Sequence, residues 1–145
     1  MKRSWLKRRS GFKRKPTKLK KQSKQPISKL QRRIWEHCKR IIRARYGNKC
    51  FTCPAQNLEG SNWHTGHLWA KASLGAFMKY DLRILRPQCY ACNIHRGGMG
   101  ADFYLKMWEE KGADYMNQLK SDRSVSVKAY DHYLKTLAEY EQITE

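Results

Sequence analysis

Two Cys-x2-Cys turns, Cys50–Cys53 and Cys89–Cys92, stand 35 residues apart in this chain, and they constrain its fold more than any other feature. Each turn carries two thiols within reach of one ion. Two such turns complete a tetrahedral site of four sulfurs, the soft donor set that zinc favours. An iron–sulfur cluster, or cysteines buried independently of one another, are the competing readings. A four-cysteine zinc site is closed to substrate and structural, and it staples a domain whose core is thin. The fifth cysteine, Cys38, falls on the apolar stripe of a helix and is expected in the core. An odd number of thiols, and no apolar leader at the N-terminus, predict a soluble, cytoplasmic protein without disulfides.

Charge divides the chain. Of a net charge of +19, +15 lies in residues 1–33, where 15 Lys and Arg meet no acid before Glu36. Such a block repels itself and offers few apolar residues to bury. Residues 1–27 therefore read as a disordered basic arm. Its Lys7, Arg8, Arg9, Lys13, Arg14 and Lys15 suit the phosphates of a nucleic acid, and Trp5 and Phe12 suit stacking on unpaired bases. A solubility tail or a nuclear localisation signal is the blander reading. No apolar run is long enough to span a bilayer.

After Pro26, Ser28-x-x-Gln31 fits a capping box, so a helix is expected from Ser28. Leu30, Ile34, Cys38, Ile41 and Ile42 recur at helical spacing, and Gly47 supplies the stop. Arg32, Arg33, Arg40 and Arg43 make this helix basic on its other side, suited to phosphate. Short strands are expected over "SNWHTGHLWA", with Trp63 and Trp69 as flanking anchors, and over "LRILRPQC", with a loop over "KASLGAFMKY" between them. Helices follow over "ADFYLKMWEEK", ended by Gly112, and over "ADYMNQLK". The chain closes on an amphipathic helix with Val127, Tyr130, Tyr133, Leu134, Leu137 and Tyr140 on its stripe. The divisions are residues 1–27, the arm; 28–47, the basic helix; 48–121, the zinc-bound core; and 122–145, the C-terminal helix.

A zinc knuckle alone suggests a binding module. Here, however, "WHTGHL" lies between the cysteine pairs and "NIH" follows the second pair at once. Hydrolysis of a phosphodiester needs a base for the attacking water and a hard cation to offset phosphate charge. A histidine suits the first role, and the oxygen of an Asn suits the second. A zinc that joins the two turns brings His67 and Asn93 toward one phosphate. As an alternative, Asn93 caps the helix that follows the knuckle.

In its order of motifs the chain resembles the ββα-metal (HNH) nucleases. More closely, "CFTC…WHTGHLWA…KYDLRILRPQCYACNIHRGG" is similar to the NinG/Rap recombination nucleases of lambdoid phages. An Asn directly after the last zinc cysteine is also similar to the phage Holliday-junction endonuclease VII. The resemblance implies His67 as general base, Asn93 as ligand of a catalytic Mg²⁺ or Mn²⁺, and the four cysteines as ligands of a structural Zn²⁺. Many HNH sites carry an Asp just before the base, where this chain has Gly66. His64 lies on the same strand face as residue 66 and is the substitute ligand, although two residues displace it by ~6–7 Å. Asp81 is the nearest candidate for the residue that braces the loop, and His95 completes the set.

The expected chain is thus α+β: a small zinc-stapled ββα-metal (HNH-like) core flanked by helices, with the basic arm in front. The expected function is metal-dependent cleavage of branched or duplex DNA, such as Holliday junctions and D-loops, by a homodimer acting beside phage recombination proteins. A non-catalytic zinc-ribbon protein that binds DNA or RNA is the rival.

Overall fold

The computed structural model describes residues 24–144, so Lys7, Arg8, Arg9, Lys13, Arg14 and Lys15 of the expected arm lie outside the described residues. The described chain is α+β and mostly helical. Its order is α1 (Ile27–Tyr46), β1 (Trp63–His67), the short α2 (Ala76–Lys79), β2 (Leu85–Cys89), one π-helical turn (Ala91–His95), α3 (Gly100–Lys111), α4 (Ala113–Asp122) and α5 (Ala129–Thr144).

Helix α1 buries the stripe read from its sequence: Leu30, Ile34, Cys38, Ile41 and Ile42. Its start differs from expectation. The helix begins at Ile27, and no side chain caps it. The carbonyl of Pro26 accepts instead from the N–H groups of Lys29 (3.0 Å) and Leu30 (3.3 Å), which leaves Ser28 inside the first turn. At the other end Gly47 takes φ +68°, a conformation costly for residues with a Cβ, and its N–H closes on the Arg43 carbonyl at 2.9 Å.

Helix α5 lies along α1. His37 Nδ1 and Thr144 Oγ1 share a hydrogen bond at 2.8 Å, Arg33 pairs with Glu141, and the Tyr140 hydroxyl donates to the Tyr80 carbonyl at 2.8 Å. The stripe of α5 departs from the expected one. The helix starts at Ala129, so Val127 precedes it; Leu134 faces outward and Thr136 is buried with Tyr133 and Leu137. Phe103, Met107, Met116 and Leu119 of α3 and α4 complete one main core with α1 and α5.

The two strands are antiparallel, with Trp63 opposite Cys89 and His67 opposite Leu85. That register sets the start of β1 beside the second cysteine turn. Arg86 of β2 is 1 % exposed. Its guanidinium lies 4.4 Å from the Tyr46 ring and 5.4 Å from the Phe51 ring, and it pairs with Glu110 at 3.3 Å. One buried cation therefore ties the end of α1, the first cysteine turn and α3 together, with a partner that offsets its desolvation.

Candidate metal centre and histidine cleft

The cysteine turns meet as the spacing requires. The Sγ atoms of Cys50, Cys53, Cys89 and Cys92 all lie within 4.8 Å of one another, and Cys53 and Cys89 are 3.8 Å apart. Tetrahedral zinc with bonds of about 2.3 Å would separate its sulfurs by about 3.8 Å, so the four residues fit the ion. Backbone amides support the sulfurs: Cys89 N–H donates to Cys50 Sγ at 3.3 Å, and Cys92 N–H to Cys89 Sγ at 3.4 Å. Such donors stabilise thiolate over thiol, the form that binds metal. Leu58 and Trp63 pack against the cluster.

His67 ends β1, half-buried. Its ring stacks on Trp35 of α1, with centroids 5.3 Å apart and planes 14° off parallel. Nε2 lies 3.1 Å from the Lys79 carbonyl. A carbonyl only accepts, so Nε2 carries the proton and Nδ1 keeps its lone pair. Burial pushes the imidazole from its ordinary 6.5 down to about 4; the Lys79 carbonyl opposes that shift, and the charges of Lys71 and Lys79 add to it. At neutral pH the ring is uncharged. Lys71 Nζ stands 4.4 Å from the Trp35 ring centre and lines the same hollow as His67.

Asn93 sits inside the π-helical turn, not at a helix cap, and its amide meets His64 Nδ1 at 3.2 Å. The Ser61 carbonyl accepts from His64 Nε2 at 3.0 Å, so Nδ1 is the lone-pair atom here too. The two ends of an Asn amide are interchangeable by rotation. Either the Asn93 N–H₂ donates to His64, or the Asn93 oxygen and the His64 nitrogen turn two lone pairs toward one point. The second arrangement suits a cation. Asn93 and Thr65 line both the hollow that holds His67 and the adjoining one that holds His64.

Gly66 has a packing reason. A Cβ built there would fall 1.9 Å from Gln88 Oε1. Gln88 is fully buried and donates to Thr52 Oγ1 and to the Gly98 carbonyl, both at 2.9 Å. No side chain fits at residue 66 while Gln88 joins the first cysteine turn to the glycine segment after the second.

Asp81 lies away from this cleft. It accepts from the Arg83 backbone N–H at 2.9 Å and pairs with the Arg83 guanidinium, so it stiffens the turn into β2. His95 is exposed and packs edge-on against Tyr90, with centroids 5.0 Å apart. On α1, Arg32 and Arg40 are exposed, Arg33 is engaged by Glu141, and Arg43 lies 4.5 Å from the Trp63 ring centre. Three contributors went unread in the sequence: Trp35, the Lys79 carbonyl and Lys71. Trp35 carries a weak signal, an aromatic beside the apolar stripe; the other two carry none.

No helix among the described residues is long and apolar enough to cross a membrane. Comparison with curated proteins and with solved structures finds no match. The family described as Bacteriophage Lambda NinG protein matches residues 2–145, essentially the whole sequence. On that match the chain belongs to the bacteriophage lambda NinG family.

Proposed function

We propose that the protein is a metal-dependent DNA endonuclease of the HNH type that acts in phage recombination, on branched DNA such as Holliday junctions and D-loops. One observation carries this reading. An uncharged His67 with a lone pair on Nδ1 adjoins the Asn93–His64 pair, in hollows that share Asn93 and Thr65. A module that only binds has no use for both.

In this reading His67 Nδ1 takes a proton from water, and the water oxygen bonds to phosphorus as the leaving ester oxygen departs with its electron pair. The Lys79 carbonyl holds the ring in the required tautomer, and Trp35 fixes its plane. Lys71 supplies positive charge to the phosphate. A Mg²⁺ or Mn²⁺ ion at Asn93 and His64 would neutralise charge on the scissile group and the leaving oxygen. Asp81 stiffens the turn into β2, and His95 packs on Tyr90, which lines the hollow of His64. Symmetric cutting of a four-way junction requires two such sites, so the proposal includes a homodimer.

The test is cleavage of labelled four-way junction, linear duplex and single strand, titrated with Mg²⁺. The expected result is Mg²⁺-dependent cutting that prefers the junction. His67→Ala should slow it by about 10²–10⁴-fold without weakening binding, and Asn93→Ala should raise the Mg²⁺ requirement. Binding without cutting by the wild type, or full activity in both variants, would make the protein a zinc-stapled binding module.

A further inference from the structure

The cleft continues beyond the two histidines. The hollow of His64 and Asn93 adjoins a larger one of about 570 Å³ between α1 and β1, and Lys39 and Trp63 line both. Together with the hollow of His67 they make one trough, from Arg40 and Arg43 at one end to Lys71 at the other.

Its walls differ in chemistry. The α1 wall presents Lys39, Arg40 and Arg43, and its one carboxylate, Glu36, is already paired with Lys39 at 2.7 Å. Arg43 is steadied over the Trp63 ring. Tyr90, which lines the adjoining hollow with Lys39, is 42 % exposed. Its backbone N–H donates to Asn62 Oδ1 at 3.0 Å, and its ring is flanked by His64 at 5.5 Å and His95 at 5.0 Å. An aromatic ring held in place yet left open to solvent beside a basic wall calls for a partner with both phosphates and flat apolar faces.

We propose that the trough seats one unpaired nucleic-acid strand, with its backbone along Lys39, Arg40 and Arg43 and one base stacked on Tyr90. The basic wall alone would accept single strand or duplex. The ring would not, because a base inside a duplex has both faces covered by its neighbours, whereas an unpaired base can splay out onto an aromatic side chain. This inference rests on the nuclease reading and deepens it by naming the form of substrate at the cleft, but binding can be measured without cleavage.

The experiment is fluorescence anisotropy with the full chain in buffer lacking Mg²⁺, across a range of salt. The probes are a labelled DNA oligonucleotide without secondary structure and its duplex. Tyr90→Ala should weaken single-strand binding about fivefold to a hundredfold, the range for one stacked base, and leave duplex binding and the salt slope unchanged. Tyr90→Phe should bind as the wild type does. Arg40→Gln should reduce the salt slope on single strand by about 0.7, the value of one neutralised phosphate. Lys106→Gln, an exposed charge on α3 outside the trough, should not. Undiminished single-strand affinity in Tyr90→Ala, or an equal loss on duplex, overturns the stacked strand. Equal slopes for Arg40→Gln and Lys106→Gln overturn the path. If these binding effects hold while the wild type fails to cut, the nuclease reading falls and the trough stands.

Discussion

Acid should destabilise this protein through His67, by an amount that its surroundings set. The unfolded chain takes up a proton on this ring near the ordinary 6.5, whereas the folded chain resists until about 4. Above pH 6.5 both states hold a neutral ring, and His67 adds no pH dependence. Below 6.5 the unfolded state binds more protons, so stability falls by about 1.4 kcal/mol per pH unit until the folded ring also titrates. The loss amounts to about 2.5 kcal/mol by about pH 4.5 and levels off below about 4. The perturbation is His67→Gln, whose amide N–H still reaches the Lys79 carbonyl but does not titrate. The assay is urea unfolding of both proteins at about pH 7.5 and about pH 4.5. The four clustered cysteines and His37, whose ring burial also holds below its ordinary value, weaken both proteins alike and cancel in the difference. The difference in stability should shift by about 2.5 kcal/mol in favour of the variant at the lower pH. A constant difference would refute a buried, neutral His67. Under the proposed function the same burial keeps the base available at neutral pH, so cleavage should not fall as pH drops through 6.5.

Wild-type protein should contain one zinc per chain by elemental analysis, and Cys53→Ser should be aggregated or unfolded, since the binding free energy of structural zinc is folding free energy; soluble wild type without stoichiometric zinc would refute this. Gly66→Ala should cost about 2 kcal/mol or more in thermal unfolding, because its Cβ displaces Gln88 from two buried hydrogen bonds; an unchanged melting temperature would show that Gln88 is free to move. Deleting residues 1–26 should weaken DNA binding and flatten its dependence on salt, by about 0.9 in slope for each duplex phosphate the arm neutralises; equal slopes with and without the arm would count against it. If His64 contributes its nitrogen to the catalytic cation, Mn²⁺ should support cutting better than Mg²⁺, since imidazole suits transition metals, and His64→Ala should abolish that preference; an unchanged preference would remove His64 from the donor set.

The parts of this protein legible in the sequence are those governed by short-range rules. Cysteine spacing predicts the four-cysteine cluster, because two residues between thiols is a property of one turn. Helical periodicity predicts the buried stripe of α1, and Gly47 predicts its end. The stripe of α5 reads less well: the sequence periodicity places Leu134 inside and Thr136 outside, whereas the face packed on the core buries Tyr133, Thr136 and Leu137. The candidate cleft is legible in the residues it brings together and opaque in its surroundings. His67 and Asn93 stand out by their place around the cysteine pairs, but nothing near His67 announces that Trp35, from α1, will stack on it, or that a backbone carbonyl at residue 79 will fix its tautomer. Those contacts cross between elements, and they decide whether the ring is a solvated histidine near pH 6.5 or a neutral one down to about 4. Gly66 shows the same division in reverse. As a motif position it reads as a missing carboxylate. In the sheet it is the only residue that Gln88 leaves room for, and Gln88 in turn holds the first cysteine turn to the segment beyond the second. The absent Asp therefore follows from how the cysteine turns are joined to the strands, and under the proposed function the donors for a cation come from Asn93 and His64, which meet at 3.2 Å.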